Sequence, residues 1–131
     1  MVIEVKPQKD ESSDVEEITQ KVFFKTIELL GGIRKLAEYR SLTWLPALAR
    51  ASYAVVLKEK FLKSEEEIAS IVGITKNTVR MILRSDPEIA LKKIKELEEA
   101  SGENKKELKV HTAGAIARLA YKEIKDTISG Q

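Results

Sequence analysis

Apolar residues recur along this chain at steps of three and four, and no stretch bounded by turn residues alternates with a period of two. The pattern predicts an all-α fold, a multi-helix bundle. Asp14, with Glu17 three residues on, reads as an N-cap for a helix carrying Val15, Ile18, Val22, Phe23, Ile27 and Leu30 on one face. Gly31-Gly32 ends it, because positive φ is cheap there. A short second helix fits 33–40, with Ile33, Leu36 and Ala37 on its apolar side. "TWLP" opens a third: Thr43 is the cap, and Pro46 sits in the first turn, where a missing N–H costs least. Leu48, Ala49, Tyr53, Val56, Leu57 and Phe61 face its core side, and Arg50, Lys58 and Lys60 the other.

The ends are read the same way. Residues 1–13 are polar, with Pro7 and Ser12-Ser13, and are expected to form a mobile arm in which Val2 to Val5 can make a short β run. Residues 14–131 then form a single domain. Asp86-Pro87 predicts a helix over 87–101, with Ala90, Leu91, Ile94 and Leu97 inward and Ser101-Gly102 as its stop. A last helix, over 103–128 and starting near Glu103 or Glu107, offers Leu108, Ala115, Ile116, Leu119, Ala120 and Ile124 for packing. Its small residues Ala113, Gly114, Ala115 and Ala117 permit close approach, either by a second copy in a homodimer or by another helix of the same chain.

One stretch departs from uniform mixing of charge: "SEEEIASIVGITKNTVRMILRSDP", Ser64 to Pro87, begins with three glutamates and carries three bases before its next acid. Ser64 and Glu67 form a capping box, and Glu65 and Glu66 fall in the first turn, where the helix dipole favours carboxylates. Ile68, Ala69 and Val72 give a short inward face that Gly73 closes, Thr75 caps a second helix, and Val79, Ile82 and Leu83 face inward along it. Helix, glycine turn, helix over 64–85 is the helix-turn-helix arrangement. Ala69 is expected to be small because the second helix crosses close above it and Gly73 to permit the turn, so that a large side chain at either position would pry the helices apart. Lys76, Asn77, Arg80 and Arg84 project away from Ile82 and Leu83, with Thr78 and Met81 on the flank. Arginine pairs with guanine and asparagine with adenine in the major groove, so Lys76, Asn77, Thr78, Arg80 and Arg84 are the candidate DNA contacts. Because the chain after Arg84 reads as another helix, the motif is non-winged.

Charge supports this placement only when divided by segment. Over the 131 residues, 23 basic and 21 acidic side chains leave +2, too little to announce a polyanion partner. Yet 33–63 carries seven bases against two acids and 75–84 three bases against none, while 1–32 and 64–74 are each at −3. Such a dipolar distribution suits a duplex. The chain has no cysteine and one histidine, no phosphate-binding glycine loop and no acidic cluster at metal spacing, so catalysis, cofactors and metals are not expected. His111 is read as a structural residue, and Trp44 and Tyr53 as core rather than base-stacking groups. No stretch approaches the roughly 20 apolar residues of a membrane span, and the expected location is the cytoplasm.

"IASIVGITKNTVRMIL" resembles the helix-turn-helix regulators of bacteria and archaea at its small, turn and apolar positions together. More narrowly, "LTWLPALARASYAVVLKEKFLKSEEEIASIVGITKNTVRMILRSDP", with "HTAGAIARLAYKEI" nearer the end, resembles an archaeal family of regulatory domains encoded beside KaiC-like ATPases. That resemblance implies a transcriptional or sensory role with a RecA-type ATPase as partner, and supplies no site residues. The competing expectation is an adaptor that uses the same helices to dock on a protein. "GGIRKLAEY" faintly echoes a second such motif, but Pro46 and the apolar Ala47 and Leu48 stand where a recognition surface would be, and it is read as scaffold.

Overall fold

The computed structural model describes residues 11–39, 44–99 and 108–129. They form α1 (Glu11–Leu29), α2 (Gly32–Tyr39), α3 (Trp44–Glu59), α4 (Glu65–Val72), α5 (Lys76–Leu83), a 3₁₀ turn (Pro87–Ile89), α6 (Ala90–Glu99) and α7 (Val110–Ser129), with no strand among the described residues.

α3 is the central element because apolar residues occupy most of its circumference. Trp44, Leu48, Ala51, Ala54, Val55, Val56 and Leu57 are all buried, so several partners can pack on it at once. α1 and α7 pack on it and on each other, and α4 and α5 cover another side. Trp44 has no exposed surface, as expected of a core group, and truncating such a side chain to alanine costs about 3–5 kcal/mol. Ile68 of α4, Val79 and Ile82 of α5 and Ile116 of α7 close the same core, while Val22, Val56 and Ala120 make a smaller cluster where α1, α3 and α7 meet.

Several expectations shift. α1 begins at Glu11, so Asp14 lies inside the helix and is not its N-cap. Gly31 and Gly32 do take positive φ, 115° and 94°, and end α1 as expected. α2 packs chiefly on α1, too narrow a contact to bury its whole apolar side, and leaves Ile33 71% exposed and Ala37 exposed. Ala49 is also exposed, since it shares with Arg50 the strip of α3 that no helix covers. The turn after Asp86 is 3₁₀ before it becomes α6, which buries Ala90 and Ile94 along a narrow line against α7 and leaves Leu91 59% exposed.

α7 starts at Val110, after non-helical Leu108 and Lys109. The candidate starts Glu103 and Glu107, the Ser101-Gly102 stop, the Thr43 cap and the run Val2 to Val5 lie outside the described residues, as do the side chains of Leu36 and Leu97.

Candidate nucleic-acid interface

The first turn of α4 is fixed by its own sequence. Ser64 Oγ accepts from Glu67 N–H at 3.1 Å, and Glu67 Oε1 accepts from Ser64 N–H at 2.8 Å, completing the capping box. The Ser64 backbone N–H, followed by its side chain and the nearby Lys63, holds the Glu67 carboxyl below the usual range. At the other end Gly73 takes φ 83° and ψ 34°, and the Ala69 carbonyl accepts from both Gly73 and Ile74 N–H. A Cβ at Gly73 would meet nothing within 4 Å. The glycine is therefore required by backbone conformation, as expected of a residue that permits the turn, and only the expectation that a large side chain there would pry the helices apart is corrected.

α5 follows after three residues. Thr75 Oγ1 accepts from Thr78 N–H at 3.0 Å and shares a 2.9 Å hydrogen bond with the Thr78 hydroxyl, so the helix starts abruptly. Val79 and Ile82 are buried, which sets the rotation of α5. Asn77, Met81 and Arg84 then point to solvent, and with Arg80, Ser85 and His111 they line one open groove. Thr78 lies elsewhere: half-buried, it lines a separate groove with Arg50 of α3 and Val110 of α7. Among the candidate contacts, the structure thus brings together Asn77, Arg80 and Arg84 and sets Thr78 to one side.

Two of the bases are paired with acids of α4. Arg80 Nε lies 2.9 Å from Glu65 Oε1, and Lys76 Nζ lies 3.3 Å from Glu66 Oε2. The acids that favour the α4 dipole also partly neutralise α5, a pairing that reading each helix alone does not reveal. Among the described residues, Nε is the one guanidinium nitrogen of Arg80 so engaged, which leaves its terminal amino groups available to a ligand.

α7 anchors the far end of α5. Gly114 is buried where a Cβ would stand 2.5 Å from Ser85 Oγ and 2.8 Å from the Ile82 carbonyl oxygen. Ser85 Oγ donates to the Met81 carbonyl at 2.7 Å, and Arg118 Nη1 donates to the Ser85 carbonyl. The small-residue face of α7 is thus filled by α5 of the same chain, and a second copy cannot dock there. The same packing places His111, the second residue of α7, at the edge of the α5 groove, and Met81 in it between Asn77 and Arg84. Sequence reading set Met81 on the flank and His111 aside. The step of four from Asn77 to Met81 was a usable signal for the first, but nothing local marked the second.

Among the described residues no group of three His, Cys, Asp or Glu is placed to hold a metal ion, and no helix is long and apolar enough to cross a membrane. No family model, curated protein or solved structure matches this chain, so the functional reading rests on the geometry of α4, α5 and α7.

Proposed function

We propose that the chain is a non-winged helix-turn-helix protein that binds duplex DNA by laying α5 in the major groove, as a transcriptional regulator does. One observation carries the reading. Asn77, Arg80, Met81 and Arg84 share an open groove that no carboxylate lines among the described residues, although Glu65 holds Arg80 from α4, and they stand on a short helix whose position is set from both ends. Asn77 and Arg84 supply hydrogen bonds to base edges, Met81 supplies an apolar contact of the kind a thymine methyl accepts, and Lys76 and Arg80 reach phosphate once they leave Glu66 and Glu65. Arg50, beside Thr78, extends the basic surface across the neighbouring strip of α3.

The resemblance to archaeal regulatory domains encoded beside KaiC-like ATPases fits this role and makes such an ATPase a partner to test. Met81, 41% exposed, is the feature that favours the second reading, an adaptor docking α5 on a protein. Selection from a pool of randomised duplexes separates the two. The DNA reading predicts an enriched consensus that Asn77→Ala relaxes at one position, because one bidentate base contact is worth about 1–3 kcal/mol of discrimination. Enrichment of no sequence, by either protein, would leave the adaptor.

A further inference from the structure

The outward side of α1 carries a surface unrelated to α5. Phe24, 60% exposed, and Ile33, 71% exposed, come from different helices into one groove of about 540 Å³, with Ile27 and Ile124 beside them. The Gly31-Gly32 turn makes this meeting possible by folding α2 back beside the end of α1. Single exposed apolar side chains are ordinary, but two large ones sharing a groove mark a contact surface.

Its rim identifies the occupant. Lys21 and Glu28 line the groove from the same helix, seven residues apart and therefore on the same side of α1, with Phe24 and Lys25 between them. The opposite charges are equidistant from the point between Phe24 and Lys25. A two-fold axis through that point runs a second α1 antiparallel to the first and sets Lys21 against Glu28 of the partner subunit at both ends of the contact. A parallel pairing would set like charges together. Lys25, which falls nearest the axis, is held within its own chain by Glu123 at 3.5 Å and by Glu28 at 3.0 Å through Oε1 alone, so it does not oppose the approach and the exposed Glu28 keeps its second oxygen for the contact. Two-fold contacts require such self-complementarity, in which each patch meets its own copy.

We infer that this chain forms a two-fold homodimer through α1, with Phe24 of each copy seated in the groove of the other. α5 packs chiefly on α3, α4 and α7, so this dimer leaves both α5 faces open. The inference does not depend on what α5 binds.

The test is the sedimentation of the purified chain over a concentration series, without DNA. Wild type is expected to be a dimer that dissociates on dilution, and Phe24→Glu and Ile33→Glu to be monomers with unchanged helical circular dichroism. Lys21→Glu and Glu28→Lys should each weaken the dimer at least about tenfold, because each places like charges at two symmetric contacts. The double reversal should return to within about threefold of wild type, since the two exchanged charges again face their opposites across the axis, and the carboxylate introduced on α1 pairs with Lys25 one turn away. A wild type that stays monomeric at every concentration, a folded Phe24→Glu that still dimerises, or a double reversal no better than the single changes would each overturn the inference.

Discussion

Arg80 and Glu65 are joined across two helices by a 2.9 Å contact, so one base of the proposed DNA-binding face is held by an acid of the preceding helix. The pair is partly exposed, and contacts of that kind contribute little to stability, typically under about 1 kcal/mol. Under the proposed function its larger effect is on affinity, because a duplex would compete with Glu65 for the guanidinium. Glu65→Gln is therefore expected to tighten duplex binding about three- to tenfold at low salt and to steepen its salt dependence by about one counterion. Anisotropy titrations at several salt concentrations check both, and unchanged affinity would mean that Arg80 stays with α4 in the complex.

Gly73 and Gly114 are glycines for different reasons, and substitution should tell them apart. At Gly73 the cost is the left-handed backbone, roughly 1–2 kcal/mol for alanine and no more for a larger polar residue, because the space is open. At Gly114 the cost is overpacking against Ser85 and Ile82, so alanine costs about 1–3 kcal/mol and serine or valine more. Urea midpoints across the two series should depend on size at Gly114 alone.

Ser52 is fully buried, and among the described residues its hydroxyl has no hydrogen-bond partner. Ser52→Ala removes an unsatisfied polar group at little loss of volume and should raise stability by about 1 kcal/mol. Thermal or urea unfolding reads this directly, and a loss of stability would mean that the hydroxyl does find a partner.

Acid stability follows from the α4 cap. The Glu67 carboxyl is held low in the folded chain, chiefly by the Ser64 backbone N–H, so its contribution is complete above the ordinary glutamate pKa of about 4.3 and is lost as pH falls below it. Ser64→Ala and Glu67→Gln should each flatten that part of the stability profile and leave the neutral side little changed in slope. An acid limb identical to wild type in both variants would show that the box does not persist in solution.

Most of what a local rule determines was legible, the Asp14 cap excepted, since α1 begins ahead of it at Glu11. Ser64 with Glu67, Thr75, Gly73 and the buried step from Val79 to Ile82 depend on neighbours three or four residues away, and each stands where the spacing predicts. What escaped depends on partners far along the chain. Ile33 and Leu91 belong to apolar stripes that nothing in their own helices marks as too wide for the contact available. The pairing of Glu65 with Arg80 and of Glu66 with Lys76 needs the angle between two helices, and the destination of the small face around Gly114 needs to know that α5 ends there. At the site, Asn77, Arg80 and Arg84 were legible by projection, whereas His111 joins them only through tertiary packing.

The measurement that bears most directly on the central claim is the salt dependence of duplex binding by wild type beside a folded Arg80→Ala, Arg84→Ala variant. The account predicts affinity that falls steeply with salt for wild type, and a variant that binds more weakly with a slope smaller by about two counterions. Equal affinity and equal slope in the two proteins, or no duplex binding by wild type at low salt, would contradict it.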